Sequence, residues 1–269
     1  MNAETGRPLG AAKQFAIGAG LLGRGLGIVL RSPKLLALGL VPAVIAGALY
    51  ATALFFLVDY LPQLSSAVTW FADGWAKWAR DLMRVLGGIA LLGVSVLLGI
   101  LTFTAVTLLI GDPFYERISE LVEERFGGVP DEVEVGFWPS LRRSLIDSLR
   151  LIGLSIVIGL PLFALGFLPV VGQTVIPVLG GAFGGWLLAL ELTGVPFQRR
   201  GQRLRHRRAV LGANRPLALG FGVAVFCCFL IPLGAILLMP AAIAGATLLA
   251  RQTLGHSISG RPADHQLSR

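Results

Sequence analysis

Long uncharged apolar stretches alternate along this chain with short segments that carry nearly all of its charge. The apolar stretches are residues 35–58, residues 85–111, residues 151–198, in which Glu191 is the only charge, and residues 216–250. About 20 apolar residues in a helix cross a bilayer, because a helix rises about 1.5 Å per residue and the hydrocarbon is about 30 Å thick. The stretches therefore predict membrane helices.

The fold class follows from the same pattern. Strands of a membrane barrel would alternate polar and apolar side chains, and none of the four stretches alternates. Since backbone groups in lipid must be hydrogen-bonded internally, we predict an all-α integral membrane protein. It has two long transmembrane helices, two apolar helical hairpins and cytoplasmic amphipathic helices.

A single membrane domain, residues 1–269, is predicted to contain seven consecutive segments. They are a cytoplasmic amphipathic N-terminus (1–34), two spans with a short outer segment (35–110), a cytoplasmic helical insert (111–150), a hairpin (151–198), an Arg-rich cytoplasmic segment (199–215), a short hairpin (216–252) and a tail (253–269).

The two hairpins differ in length. Residues 216–250 supply about 26 Å of helix per arm, less than the hydrocarbon thickness, so we predict that this hairpin enters from the cytoplasm and returns, turning near Pro232. Residues 151–198 turn near Pro169 and have room for two arms of about 20 residues, so a full crossing stays open.

The cytoplasmic insert is predicted to contain a new amphipathic helix. Asp112 supplies a capping carboxylate and Pro113 suits the first helical position, while Gly127-Gly128 ends the helix. Its apolar face is Phe114, Ile118, Leu121 and Val122, and its acidic face is Glu116, Glu120, Glu123 and Glu124. We expect the acidic face to be solvated or docked on the Arg-rich segment. A second helix is predicted to start near Pro139.

The distribution of basic residues sets the topology. Of the 23 basic residues, all but Lys77, Arg80 and Arg84 fall in segments 1–34, 111–150, 199–215 and 251–269. The positive-inside rule then places both termini in the cytoplasm of a multi-pass plasma (inner) membrane protein. Residues 1–34 also lack the apolar core of a signal peptide.

Composition and motifs exclude several classes of protein. A chain that is 55% hydrophobic and 14% charged, with mean hydropathy +0.76, cannot be a soluble domain. The net charge of +8 is explained by topology, so no nucleic acid partner is predicted. No P-loop, metal spacing or nucleophile motif is present, and we predict no cofactor, no metal and no enzyme activity. The adjacent Cys227 and Cys228 are predicted to be packing residues.

Three features are candidates for function. Glu191 is a carboxylate within an apolar stretch, which marks a transport site unless it pairs with a nearby arginine. The Arg-rich segment can contact an anion or anionic lipids, or can simply anchor the topology; its candidates are Arg199, Arg200, Arg203, Arg207 and Arg208. Two overlapping GxxxG patterns, starting at Gly180 and Gly181, predict close helix packing within the chain or between subunits.

Several motifs, in order, resemble the CysZ-like family, also called the etoposide-induced protein 2.4 family, over residues 10–252. They are Ser32-Pro33 with Pro42, Asp112-Pro113-Phe114-Tyr115 with the helix ISELVEE, FLPVVGQTVIPVLGGAFGGWLLALEL, VPFQRRGQRLRHRR, and IPLGAILLMPAAIAGATLLARQ with its Met239-Pro240. The resemblance implies two long membrane helices with hemi-penetrating hairpins, homo-oligomers, and sulfate uptake in the bacterial branch.

One family motif differs in this chain. The family's sulfate permeases resemble P-G-L-R-R, and here the stretch is Pro33-Lys34-Leu35-Leu36-Ala37. Only Arg31 and Lys34 supply positive charge there, so they become the transport candidates. Two functions remain open: a permease or channel for a small anion such as sulfate, or a membrane organiser that does not transport.

Overall fold

The computed structural model describes residues 10–129, 137–168, 171–231 and 234–258, and the regular elements in these ranges are all helical. The helices are α1 (Ala11–Leu30), α2 (Pro33–Asp59), α3 (Leu61–Val68), α4 (Lys77–Arg125), α5 (Phe137–Leu165), α6 (Val171–Leu192), α7 (Gly194–Gln198), α8 (Leu204–Ala213), α9 (Arg215–Phe229) and α10 (Gly234–Thr253), with a 3₁₀ turn at Trp70–Ala72. The predicted all-α class is confirmed. Pro169 and Pro232, the predicted turn residues, lie outside the described residues.

Several helices are long and apolar enough to cross a bilayer. Among the described residues, α2, α4, α6 and α10 qualify by length and composition. Helices α8 and α9 qualify only as a pair bent by 105°, and the apolar part of α5, Leu149–Leu165, is shorter than a full span. The number of such helices indicates a multi-pass membrane protein.

The chain divides into two compact units, and residues 40–113 form the smaller one. Within it, the Tyr50 hydroxyl lies 2.7 Å from Thr102 Oγ1, and the Tyr50 ring meets the Phe103 ring edge-on at 5.4 Å. Large apolar side chains point outward, with Phe55 67% and Leu109 77% exposed. Such an apolar surface suits a hydrocarbon environment rather than water.

The larger unit comprises residues 1–39 and 114–269, and α1 lies at its centre between α9 and α10. Glycines allow this close packing. A Cβ at Gly18 would lie 2.0 Å from the Leu217 carbonyl oxygen, and one at Gly25 would lie 2.3 Å from that of Ala241. The predicted amphipathic N-terminus is thus helical from Ala11 to Leu30, and its Gly18 and Gly25 serve packing, whereas Gly20, Gly23 and Gly27 face open space.

The GxxxG patterns of α6 pack within the chain. A Cβ at Gly185 would meet the Val223 nitrogen of α9 at 2.6 Å, and one at Gly222 would meet the Gly185 carbonyl oxygen at 1.9 Å. Gly184 faces the Phe226 ring, whereas Gly180 faces open space. The close-packing prediction is thus confirmed for the α6–α9 pair.

The predicted helix start at Asp112-Pro113 is wrong. Helix α4 runs without interruption from Lys77 to Arg125, and Pro113 lies inside it. Proline removes one backbone donor, and a long membrane helix tolerates this loss when neighbouring groups compensate. Both Asp112 and Pro113 are exposed, while Tyr115 is buried and Phe114 is half-buried.

The predicted end of the first insert helix and the predicted start of the second are confirmed. Gly127 and Gly128 have φ of +97° and +77°, and the Gly128 N–H donates to the Glu123 carbonyl at 2.9 Å. This is the Schellman arrangement, which favours glycine because the left-handed backbone region penalises a Cβ. Helix α5 begins at Phe137, two residues before Pro139.

Candidate functional site

A fully buried carboxylate forms the centre of the larger unit's polar core. Glu123 of α4 is 0% exposed, and its two oxygens accept hydrogen bonds from Arg200 at 2.7 and 3.1 Å. Arg251 of α10 donates to Oε2 of the same carboxylate at 2.5 Å. Buried charges are stable only when they are paired and hydrogen-bonded, and here both conditions hold. We call Glu123, Arg200 and Arg251 the buried triad.

The arginines of the buried triad also bind backbone carbonyls. Arg251 donates from Nη1 to Gly128 at 2.9 Å, from Nη2 to Phe126 at 2.6 Å, and from Nε to Ser257 at 3.2 Å. Arg200 Nη1 donates to Pro196 at 2.7 Å. With most donors engaged in this way, the triad has little capacity left to bind a substrate anion.

Three helix C-termini converge on the triad, and each ends in the same way. Besides α4, helices α7 and α10 are followed by turns that contain Gly201 (φ +66°) and Gly255 (φ +78°). The Gln202 N–H donates to Phe197 at 3.0 Å, and the His256 N–H donates to Arg251 at 2.8 Å. A helix C-terminus carries about half a negative charge, so the three ends and Glu123 together offset the two guanidinium charges. The triad therefore works as a structural clamp.

The interface between α4 and α10 continues one turn before the triad. Ser119 Oγ lies 2.9 Å from Thr247 Oγ1, and both residues are fully buried. Residues 241–250 of α10 are all buried. Helix α10 is thus enclosed by protein, which distinguishes it from the lipid-exposing parts of α2 and α4.

The sequence leaves two alternatives for the acidic face, solvation or docking on the Arg-rich segment, and Glu123 follows the second. It is fully buried and contacts that segment through Arg200. Glu120 and Glu124 pair instead with Arg117 on the same helix. Arg251 was not singled out as a site residue. Its position directly after a long uncharged run, at a helix C-terminus, was the available signal.

The predicted Arg-rich candidates do not form one patch. Arg200 and Arg207 point into the protein, Arg199 and Arg208 are half-buried, and Arg203 is exposed. Their directions differ because α7 and α8 are separate short helices joined by a turn. The segment is therefore divided between structural and surface roles.

Arg207 forms a second polar centre with acidic residues of two other helices. Glu191 of α6 and Asp147 of α5 both interact with it electrostatically, and its Nη1 approaches Gly194 so closely that a Cβ there would lie 2.9 Å away. Glu191 itself is exposed. Glu191 thus lies within electrostatic range of Arg207, while its pairing with an arginine stays a prediction.

The other transport candidates lie where α1 ends and α2 begins. Arg31 follows the last residue of α1 and Lys34 is the second residue of α2, and both are exposed. The ion pairs among the described residues include neither of them. Nearby, Gly39 of α2 packs against Pro240 of α10, because a Cβ added at Gly39 would lie 2.3 Å from the Pro240 Cγ. Met239, the residue before Pro240, is half-buried.

The charges of the buried triad affect the pKa of His256, which lies outside the membrane helices. The pKa of His256, the residue after Gly255, is lowered from its ordinary value by burial first and then by the positive charges of Arg200 and Arg251.

Among the described residues, no three His, Cys, Asp or Glu side chains lie close enough to hold a metal ion.

Comparison with known proteins identifies relatives with a common description. The chain is 27% identical over 195 residues to the sulfate transporter CysZ of Pectobacterium atrosepticum, covering 72% of this chain and 68% of the relative. It is 28% identical over 192 residues to the sulfate transporter CysZ of Salmonella typhimurium, covering 71% and 73%. The family model described as sulfate transporter CysZ/etoposide-induced protein 2.4 matches residues 21–240. The chain therefore belongs to the sulfate transporter CysZ/etoposide-induced protein 2.4 family.

Proposed function

We propose that this protein is a membrane permease for a small anion, with sulfate as its substrate. The observation that carries the proposal is the family match over residues 21–240, together with relatives described as sulfate transporters. A transporter needs helices that suit a bilayer, and α2, α4, α6 and α10 have the required length and composition. The relatives' names support transport rather than catalysis.

Within this function, Arg31 and Lys34 are the residues we assign to the anion. Both are exposed cations next to the start of α2, and neither is neutralised by an acidic side chain among the described residues. An ammonium or guanidinium group forms charge-assisted hydrogen bonds to sulfate oxygens. The buried triad, by contrast, is occupied by internal partners and holds α4, α7 and α10 together.

Glu191 is assigned a different role in the same function. Its carboxylate lies in the field of Arg207, so the pair is close to neutral and does not repel an approaching anion. If Glu191 were uncompensated, its charge would oppose sulfate entry. We propose that Arg207 suppresses that repulsion.

For the arrangement in the bilayer we propose two crossing helices, α2 and α4, and two hairpins inserted from the cytoplasm. Both termini are then cytoplasmic in the inner membrane, and the subunits assemble into homo-oligomers. The distribution of basic residues supports this orientation. The short α9, 15 residues or about 22 Å, supports a hairpin that does not cross.

A flux assay with purified protein tests the function. Proteoliposomes containing the full chain should take up ³⁵S-sulfate faster than empty vesicles of the same lipid, and unlabelled sulfate should compete. Uptake no faster than that of empty vesicles, by protein that elutes as one monodisperse species, would contradict the proposal. That result would favour the membrane-organiser alternative.

A further inference from the structure

The segment that joins α2 to α4, residues 60–76, has an inverted distribution of polar and apolar side chains. We call it the connecting segment. Its buried residues are small, and two of the three carry hydroxyls: Ser65, Thr69 and Ala72. Its exposed apolar residues are large, and they are Tyr60, Leu64, Val68, Trp70, Phe71 and Trp75. A helix in water buries its apolar face and exposes its polar face, so this arrangement suits an apolar medium instead.

The hydroxyl groups on the inner side of the connecting segment do not need water. Ser65 Oγ donates to the Pro62 carbonyl at 3.0 Å, and Thr69 Oγ1 donates to the Ser65 carbonyl at 2.7 Å. Both residues pack on glycines of α4. A Cβ added at Gly87 would lie 2.9 Å from Thr69 Cγ2, and one at Gly88 would lie 3.7 Å from the Ser65 Cβ. These small residues let α3 lie directly on α4, which leaves the large apolar side chains on the outer side.

The polar residues of the connecting segment indicate its depth. Helices α2 and α4 both have the length and composition of membrane spans, so a segment that joins them lies at a membrane boundary. Asp59 and Lys77, which flank the segment, are exposed, as is Gln63 of α3. The Asp73 carboxylate pairs with Arg84 of α4 at 3.1 Å. Tryptophans among charged groups are typical of the interface, where the ring lies in acyl chains and the N–H stays hydrated.

The exposed apolar face continues onto the two spans. Phe55 of α2 and Val85 and Leu86 of α4, near the connecting segment in sequence, are also exposed. Lipid surrounds these helices and can cover the whole continuous face, whereas a protein partner on the connecting segment would leave the rest uncovered. We propose that the connecting segment is an interfacial anchor, inserted into the headgroup/acyl boundary of the bilayer with Trp70 and Trp75 among the acyl chains.

An anchor at this position gives α4 a defined depth in the membrane. Its 49 residues form about 73 Å of helix, more than twice the hydrocarbon thickness, so length alone does not determine which part of α4 lies in lipid. Interfacial tryptophans and flanking charges determine the depth and tilt of such a helix. The connecting segment supplies both groups next to the start of α4.

A single-tryptophan experiment on the full chain in liposomes tests the anchor. The chain has five tryptophans, and replacing all but Trp70 by phenylalanine leaves one reporter. A second reporter keeps only Trp75. The control is Glu124→Trp in a chain whose five native tryptophans are all phenylalanine, because the Glu124 side chain is 57% exposed near the other end of α4. Each protein is used after it elutes as one monodisperse species in detergent.

Two quenchers report the position of each ring. Phosphatidylcholine brominated near the glycerol end of its acyl chains should remove most of the Trp70 and Trp75 fluorescence. Bromines near the chain ends should remove less, because an interfacial helix lies only about 5–10 Å into the headgroup/acyl boundary. Aqueous iodide should quench the Glu124→Trp reporter strongly and the other two weakly. Iodide quenching of Trp70 and Trp75 equal to that of the control would overturn the proposal, and so would resistance to both quenchers, which would mean that protein covers the face.

A second pair of variants tests the apolar face of α3. Leu64→Gln/Val68→Gln in the Trp70 reporter should increase iodide quenching, because the outer face of α3 then favours water. Gln63→Ala changes an exposed polar residue of the same helix and should leave Trp70 protected. Unchanged quenching in the double variant, or an equal increase in the control, would overturn the proposal. The readout is fluorescence, so the result is independent of sulfate flux.

Discussion

Glu123 and Arg251 lie 128 positions apart in the chain, yet Arg251 Nη1 donates to Glu123 Oε2 at 2.5 Å. Their side chains are 0% and 5% exposed. The pair joins the C-terminal ends of α4 and α10, and Arg200 adds the end of α7. Because three helix ends meet at one carboxylate, a single substitution at Glu123 affects all three.

Glu123→Gln should destabilise the protein severely. The change leaves the buried guanidinium groups of Arg200 and Arg251 without a carboxylate partner, and breaking one partner of a buried ion pair costs about 3–5 kcal/mol. The measurement is the temperature at which the monodisperse gel-filtration peak in detergent is lost. Glu124→Gln is the control, because the Glu124 side chain is 57% exposed and meets only Arg117 at 3.8 Å. Equal stability of the two variants would mean that the triad does not hold the helix ends.

Helix packing around α1 predicts opposite effects for two glycines on the same helix. Gly18→Ala places a Cβ 2.0 Å from the Leu217 carbonyl, so α1 and α9 must separate at a cost of about 1–3 kcal/mol or more. Gly20→Ala meets no atom within 4 Å and should stabilise the helix by up to about 1 kcal/mol. Thermal stability in detergent distinguishes them. A similar loss in both variants would contradict the close α1–α9 packing.

Acidic pH should weaken the fold through His256. Burial and the nearby arginines lower its folded-state pKa, so below about pH 6.5, its ordinary value, the unfolded chain binds the proton better. The contribution of His256 is then present above that pH and is lost as the pH falls toward the lower folded pKa. His256→Gln should flatten this part of the stability profile, whereas His206→Gln, an exposed residue of α8, should not. Unchanged pH profiles in both variants would exclude His256 as the cause.

Anion recognition at the start of α2 is tested by charge removal. Arg31→Gln and Lys34→Gln should each reduce sulfate flux by about ten-fold or more, since a hydrogen bond to a charged group contributes about 1.5–3 kcal/mol. Lys13→Gln removes an exposed cation at the other end of α1 and should leave the flux unchanged. Fluxes equal to wild type in both test variants would place the anion path elsewhere.

Cysteine labelling tests the proposed hairpin of α9 and α10. In a Cys227→Ser/Cys228→Ser background, Ile231→Cys, two residues after α9, should resist an impermeant thiol reagent added outside the cell. Trp78→Cys, at a residue 73% exposed near the start of α4, should be labelled from outside. The physical reason is that the 15 residues of α9 reach only about 22 Å into a hydrocarbon layer of about 30 Å. External labelling at position 231 after all would show that α9 crosses.

The pattern of apolar stretches was sufficient to predict the all-α class and the approximate helices, because helix length and backbone hydrogen bonding in lipid leave few alternatives. The end of α4 at Gly127-Gly128 was predictable for a similar local reason, since only glycine adopts that backbone region cheaply. By contrast, Asp112-Pro113 carried the local signal of a helix start, and the continuous α4 overrode it.

The tertiary structure alone decided which charges are internal. Glu123, Glu120 and Glu124 look equivalent on an amphipathic helix. Only the ion pairs with Arg200 and Arg251 offset the desolvation cost of burying the Glu123 carboxylate. Likewise, the sequence contains many glycines in α1, and only the positions of α9 and α10 show that Gly18 and Gly25 are contact points. Periodicity and composition report the environment of each helix separately, whereas pairing between residues distant in sequence depends on how the helices pack together.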